Sequence, residues 1–376
     1  MVSLLDVINV GLFAAALRMA TPIAFAALGG IFSERVGIIN IGLEGIMLTS
    51  AFAGVAASYY TGNPWLGVLA AVAVGGLLGL FAAALRMATP IAFAALGGIF
   101  SERVGIINIG LEGIMMTSAF AGVTVSYYTG NPWLGVLAAV AVGGLLGFFH
   151  AVLTVKFAGD QIVSGTGINI FAMGFTAYMS QIIWGSRGAS DSVTGIKPVT
   201  IPLLRQVPIL GAILGKHSPL VYIMFAVTVI SYIVLFKTPL GLRIRAVGEH
   251  PTAAETAGID VYRIKYLCVT LSGMLAGLGG AFLSLGHLNI FVFGMTGGRG
   301  FIAMAAMIFG KWTPFGALGA SLLFGFADAL QMRLQATGLL PPQIILTIPY
   351  LLTVAVLAGV VGRARPPSDY KPYVKE

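Results

Sequence analysis

The sequence predicts an all-α polytopic membrane protein, and three observations carry that expectation. Of 376 residues, 58% are hydrophobic and only 9% carry a formal charge, against about 25% charged in a soluble domain. The apolar residues fall in runs of the length a bilayer demands, ~20 helical residues for a ~30 Å hydrocarbon core. Small residues recur four apart inside those runs, as at Gly75 and Gly79 or Gly273 and Gly277, which lets helix backbones approach where lipid supplies no hydrophobic drive. So few charges cannot cover a water-facing surface, which excludes a soluble enzyme, a disordered chain and a nucleic-acid binder. The net charge of +8 sits in short stretches between apolar runs, the pattern of loops held on the cytoplasmic side.

From the N-terminus, Met1–Asp6 has no basic n-region, so no cleaved signal peptide is expected. Residues 11–79 then recur at 79–147 with three differences, Leu48/Met116, Ala56/Thr124 and Ala57/Val125. A tandem gene duplication and an artefact of sequence assembly both account for it. Each copy offers a short apolar piece (Met19–Phe32, Met87–Phe100), a polar stretch (Ser33–Asn40, Ser101–Asn108) and two longer segments. Those are Leu43–Tyr60 with Leu66–Leu85, and Leu111–Tyr128 with Leu134–Val155, each pair joined by Thr-Gly-Asn-Pro, a strong breaker. Two crossings per copy preserve the orientation of everything downstream. The short pieces follow Arg18 or Arg86 and contain Pro22 or Pro90; they read as re-entrant, as half of a broken helix, or in copy 1 as part of one tilted helix from Leu4 to Phe32.

Beyond the repeat, the candidate spans are Ile162–Gly185, Leu220–Phe236, Tyr266–Leu285, Phe301–Phe309 (extended back to about Gly294), Gly316–Leu330 and Ile344–Val361. The total is roughly 9 to 11 membrane-embedded segments. The loop Lys237–Lys265, with five basic residues and three acidic ones, and the tail with Arg363, Arg365, Lys371 and Lys375 are both expected in the cytoplasm. Four crossings separate them, which puts them on one side. Residues 1–366 thus form one transmembrane domain and 367–376 a cytoplasmic tail, with the Pro-rich stretch Gly185–Ser218 outside. Trp65, Trp133, Trp184 and Trp312 read as interface anchors. Cys268, alone, reads as a packed small hydrophobe.

Within the loop 237–265, Glu249-His250-Pro251-Thr252 has the features of a helix start, with Glu255 in the first turns. Gly258 suits a left-handed stop. A short helix over Thr252–Ala257 has no core of its own, so it either docks into a partner or lies on the headgroups.

Among polar groups, Glu44 and Glu112 open helices, where a carboxylate favours the dipole. Glu34-Arg35 and Glu102-Arg103 read as interfacial pairs or coupling contacts. Asp328, Gln331 and Gln335 fall at i, i+3 and i+7 on one helical face, either lining an outward vestibule or placing Asp328 against Arg333. Gln161, Thr166 and Asn169 form a second polar set; Asn169 reads as a substrate hydrogen bond or, equally, a helix–helix one. An ionisable or amide group within a span is a functional candidate by default. The four histidines have no metal-ligand spacing, and no nucleophile elbow occurs, so neither a metal site nor a catalytic residue is expected.

Gly248–Ile259, GEHPTAAETAGI, resembles the coupling-helix loop of permeases in the branched-chain amino acid, ribose and nucleoside group of ATP-binding-cassette importers. Ser33–Gly45 and its copy Ser101–Gly113, Asp160–Asn169 and Arg299–Lys311 are similar to the nucleoside branch of that group. The resemblance covers essentially the whole chain counted with one copy of the repeat, whose extra 68 residues the family pattern lacks. It implies a permease subunit of an importer, most simply for nucleosides, with Glu249, Pro251, Ala253, Ala254 and Gly258 engaging a separate ATPase subunit. Gln161, Thr166, Asn169, Asp328 and Gln331 are then the candidates for the substrate pathway. Phe171, Phe175, Tyr178, Phe291 and Phe293 are candidates to stack on a base. No Gly-x-x-x-x-Gly-Lys-Ser/Thr occurs, since Gly215-Lys216-His217 and Gly310-Lys311-Trp312 fail at the last position. ATP and Mg are therefore expected on partner ATPase subunits and no cofactor on this chain. The other implied partners are a second homologous permease, an extracytoplasmic binding protein and membrane lipid, in a bacterial inner or plasma membrane. The alternatives are an importer of another small solute, such as a branched-chain amino acid or sugar, and an ion-coupled secondary transporter.

Overall fold

The computed structural model describes residues 43–201, 213–337 and 341–345, with residues 20, 21, 24, 211, 347, 348, 351, 354, 366, 367 and 373. Nearly all of it is helix: α1 Leu43–Thr61, α2 Pro64–Glu102, α3 Leu111–Thr129, α4 Pro132–Ala151 with a π-helical turn Val152–Lys156, α5 Gln161–Trp184 and α6 Pro219–Lys237. There follow α7 Pro239–Glu249, α8 Pro251–Thr256, α9 Val261–Ala281 with a π-helical end Phe282–Leu288, α10 Arg299–Phe309, α11 Pro314–Thr337 and α12 Pro342–Ile345. Among the described residues the only strands are the two-residue Val199–Thr200 and Lys216–His217. Among the described residues six helices are long and apolar enough to cross a membrane, namely α2, α4, α5, α6, α9 and α11, and α10 is a shorter apolar helix. Most of Met19–Phe32, Ser33–Asn40, Pro202, Pro208, most of Ile344–Val361 and the four basic residues of the tail lie outside the described residues, as does the Glu44 side chain.

The chain divides into two compact units, Met1–Ala83 with Thr200–Lys216 and Met332–Pro342, and Ala84–Val199 with His217–Gln331 and Gln343–Glu376. In the first, α1 packs on the start of α2 through small residues: a Cβ on Gly67 would stand 2.6 Å from the Gly54 carbonyl oxygen. The Asn63 side chain accepts from the Trp65 N–H at 2.9 Å, capping α2, and Ile46 and Leu78 form a small apolar cluster. Arg333 donates to the Gly76 carbonyl at 2.7 Å.

In the second unit α9 is the hub, packed mainly against α4 and α3. Four glycines bring α4 and α9 together, Gly143 and Gly147 against Gly273 and Gly277; a Cβ on Gly273 would stand 2.1 Å from the Gly143 carbonyl oxygen. That is the close backbone approach the four-residue spacing foretells. The core around it draws on Ile91, Leu96, Ile99, Leu111, Met115 and Met307, all at or below 1% exposed.

Three expectations need correction. Leu66–Leu85 and Met87–Phe100 are one helix, α2, of 39 residues, because nothing but good helix formers lies between them; Arg86 interrupts nothing and is buried. Pro90, the one breaker, costs α2 a hydrogen bond to the Arg86 carbonyl without ending it. At ~1.5 Å per residue α2 is ~58 Å long, about twice one crossing. The helix at Phe301–Phe309 extends back only to Arg299, since Gly294, Gly297 and Gly298 all take positive φ. Trp312 is not an interface anchor: it is 6% exposed and its indole is hydrogen-bonded inside the protein.

Candidate functional site

The loop between α6 and α9 folds as two short helices. The Thr238 hydroxyl caps α7 by accepting from the Gly241 N–H at 3.2 Å. Ile244 and Val247 anchor one face of α7 in the core, while Glu249 at its end is exposed. Pro251 opens α8 at the first helical position, and the His250 ring caps it, its Nδ1 accepting from the Ala253 N–H at 3.4 Å and lying 2.9 Å from the Thr252 hydroxyl. Ala254 faces inward at 4% exposed, whereas Thr252, Ala253, Thr256 and Ala257 are exposed. Gly258, at φ 81°, ends the motif in the left-handed region, as the sequence predicts, and its N–H donates to the Glu255 carbonyl at 2.8 Å. The five candidate coupling residues thus stand on one projecting turn. Beside it a cleft of about 630 Å³ opens between Leu242, Arg243, Ala246, Ile259 and Arg263. The Tyr373 hydroxyl donates to the Glu255 carboxylate, and the Lys265 ammonium stands 5.7 Å from the Tyr373 ring centre.

The loop touches a second polar centre. Between α2 and α3, residues 103–110 leave the helix in the protein interior, where unpaired backbone groups are costly. Side chains from neighbouring helices pair them. Gln161 accepts from the Ile107 N–H at 2.7 Å and donates to the Gly105 carbonyl at 3.2 Å. Asn169 accepts from the Gly113 N–H at 2.7 Å and donates to the Ile109 carbonyl at 3.1 Å. The His150 ring lies 3.1 Å from the Ile107 carbonyl and 2.8 Å from the Ser164 hydroxyl. Asn108 donates to the Ser272 hydroxyl at 3.1 Å.

Both ends of this segment carry charged side chains. Glu102 accepts from the Trp312 indole N–H at 2.5 Å. Arg103 donates to the Trp312 carbonyl at 2.8 Å, and its guanidinium stands 5.2 Å from the Phe236 ring centre, with Arg245 at 5.5 Å from the same ring. Burial first, then Arg245, holds the Arg103 guanidinium below its ordinary value, with Glu249 acting in the opposite direction. At the other end Glu112 accepts from the Gly298 and Gly300 N–H groups at 2.8 and 2.6 Å, so it caps α10 as well as opening α3. A Cβ on Gly248 of α7 would stand 2.0 Å from the Arg103 carbonyl oxygen, so the loop rests directly on the segment.

The remaining candidates separate. Thr166 lies on the exposed face of α5. Asp328 faces Arg299 of α10 at 3.7 Å, while Arg333 donates to the Gly76 carbonyl; Gln331, one turn on, is half-buried. Phe171 stacks on Phe175 at 5.2 Å, and Phe175 and Phe291 both meet Phe120 edge-on; Tyr178 is exposed. The structure adds His150, Trp312 and Glu112 as contact residues. One signal for Glu112 lay in Gly298-Arg299-Gly300, whose slim residues leave the first N–H groups of α10 open to an acceptor. Among the described residues no group of three or more His, Cys, Asp or Glu is placed to hold a metal ion.

The family described as branched-chain amino acid transport system / permease component matches residues 12–89 and 82–357. The guanosine ABC transporter permease protein NupQ of Bacillus subtilis is 42% identical over 304 residues, covering 78% of this chain and 95% of that protein. The nucleoside ABC transporter permease protein NupC of Lactococcus lactis is 39% identical over 302 residues, covering 77% and 95%. The putative glucose ABC transporter permease protein TsgC13 of Haloferax volcanii is 36% identical over 308 residues, covering 76% and 92%. No solved structure is a significant match.

Proposed function

The chain belongs to the branched-chain amino acid transport system / permease component family, and from that premise we propose that it is the membrane-embedded permease subunit of an ATP-driven importer of nucleosides. It is a multi-pass membrane protein and a transport component. The observation that carries the reading is the projecting turn Glu249–Gly258, one face fixed by Ala254 and the other open. The relatives at 42% and 39% identity have nucleoside substrates in their names and support the cargo, against a sugar in the name of the one at 36%.

In this reading the turn faces the cytoplasm and seats in a cleft of an ATPase subunit, where ATP and Mg are held; this chain holds neither. Glu249, Pro251, Ala253 and Gly258 form the contact, Ala254, turned into the core beneath them, sets the position of α8, and closure of the ATPase pair moves the spans as rigid bodies. A second homologous permease completes the membrane pathway, and an extracytoplasmic binding protein delivers cargo. The pathway runs past Thr166 on α5 and Asp328 and Gln331 on α11, while Gln161 and Asn169 shape it through the segment they hold. A nucleoside is uncharged, so its path needs hydroxyls, amides and aromatic faces with no net fixed charge. The neutralising Arg299–Asp328 pair is consistent with that.

The test is uptake of radiolabelled guanosine by proteoliposomes holding the chain with its ATPase, second permease and binding protein. Uptake that continues with a proton ionophore and stops without ATP supports the reading. Uptake of glucose but not guanosine would transfer the chain to the sugar branch of its family, and uptake abolished by the ionophore would make it a secondary transporter.

A further inference from the structure

The segment between α2 and α3 holds α10 at both ends, and it does so with charged groups on groups that α10 cannot satisfy itself. At the C-terminal end of α10 the chain turns through Lys311 and Trp312, consecutive non-glycine residues at φ 52° and 50°, a left-handed conformation that side chains with a Cβ resist. What holds the turn is the Glu102 carboxylate on the Trp312 indole N–H and the Arg103 guanidinium on the Trp312 carbonyl. At the N-terminal end the two oxygens of Glu112 take the Gly298 and Gly300 N–H groups, donors that the first turn of any helix leaves open. Between the two grips the segment is braced by Gln161, Asn169 and His150, so Glu102 and Glu112 belong to one supported piece. Gly248 of the coupling turn sits on the Arg103 carbonyl with no room for a methyl group.

We propose that the Ser101–Gly113 segment is a rigid bracket that carries displacement of the coupling loop to α10, with Trp312 and Glu112 as its two positioning residues. The inference rests on the transporter reading and deepens it. A push on Gly248 reaches the Arg103 carbonyl, then Trp312 through the same residue's guanidinium, and α10 moves with the bracket because its far end is tied by Glu112. Arg299 then passes the movement to α11 through Asp328.

The experiment uses the complete reconstituted complex and reads guanosine moved per ATP hydrolysed. Trp312→Phe removes the indole N–H together with the five-membered ring, so a small cavity accompanies the lost hydrogen bond; Glu112→Gln keeps the shape and removes one of two acceptors. Each is expected to lower the transport-to-hydrolysis ratio roughly tenfold, the equilibrium weight of a hydrogen bond to a charged group, while hydrolysis itself stays within about twofold of wild type. Glu102→Gln, which retains an acceptor for Trp312, is expected to keep most of the ratio, whereas Glu102→Ala loses it. A purely packing role would lower transport, hydrolysis and the yield of assembled complex together. Both single variants assembling normally with an unchanged ratio would overturn the bracket, as would losses that only track assembly. If Trp312→Phe fails to assemble, Glu112→Gln at the opposite end decides alone. A wild-type complex that hydrolyses ATP and moves no guanosine would overturn the transporter reading instead.

Discussion

Asn169 shows how one side chain can be recognised as important while its partner stays open between cargo and a neighbouring helix. An amide in an apolar helix must find a partner, and the sequence marks it for that reason together with Gln161. Its partners are the Gly113 N–H and the Ile109 carbonyl, groups that need pairing only because the chain leaves the helix between α2 and α3, which no local pattern around Asn169 reveals. Asn169→Ala therefore orphans two buried backbone groups, at a cost of about 2 kcal/mol. Thr166→Ala, on the exposed face of the same helix, costs within ~0.5 kcal/mol. The expected outcome is a lowered unfolding midpoint in detergent for Asn169→Ala and an unchanged one for Thr166→Ala. If Thr166 meets cargo, its variant loses guanosine uptake at full stability. An unchanged midpoint in Asn169→Ala would show that the amide does not brace the segment.

At the scale of elements, the coupling turn was legible almost residue by residue: Pro251 at the start, good formers through Thr256, Gly258 at the stop. Its signals are local, and local signals survive in one sequence. The extent of α2 and α10 was not legible in the same way. Arg86 resembles a span boundary by charge and is none, and the apolar stretch before Phe301 resembles a helix by composition while three glycines at positive φ bend it away. Charge and hydropathy report solvent preference, which α2 satisfies by burying Arg86 among neighbours rather than by ending. The coupling turn yields its own prediction. Ala254 is 4% exposed beside Val247 and Val261 in the core, so Ala254→Leu overpacks the site by ~1–3 kcal/mol and shifts α8 outward. Gly258→Ala strains the stop by about 1 kcal/mol with no clash, since nothing lies within 4 Å of its position. Ala254→Leu should uncouple hydrolysis from uptake strongly and Gly258→Ala mildly, as read by phosphate release against guanosine uptake. Equal coupling in both would mean that the ATPase does not sense the position of α8.

At the scale of the whole molecule, one sequence occupies two environments. Phe52 is 75% exposed and its copy Phe120 is 5% exposed; Val55 is 70% exposed and Val123 is fully buried. The repeats differ at only three positions, all within α1 and α3, so the repeat itself cannot choose which copy joins the unit built on α9. The flanks do. Copy 2 runs on into Phe148-Phe149-His150, and His150 holds the Ile107 carbonyl and the Ser164 hydroxyl. Copy 1 runs on into Leu80-Phe81-Ala82, with alanine where that imidazole would stand. Deleting residues 11–78 leaves 376 − 68 = 308 residues with copy 2 intact. Deleting 79–146 instead leaves copy 1 followed by the same Phe148-Phe149-His150, a chain that differs from the first deletion only by Leu48, Ala56 and Ala57 in place of Met116, Thr124 and Val125. Both shortened chains should fold into the α9-centred unit, with unfolding midpoints close together because Leu for Met conserves volume and Thr124 and Val125, where alanine enters, are only half-buried, and both should support guanosine uptake at the level of the full chain. If copy 1 contributed something that only a second hairpin supplies, both deletions would assemble and both would lose uptake. If copy 2 were favoured by its own three residues and not by the histidine after it, the second deletion alone would fail, and His150→Ala in the full chain would leave the choice of copy unchanged.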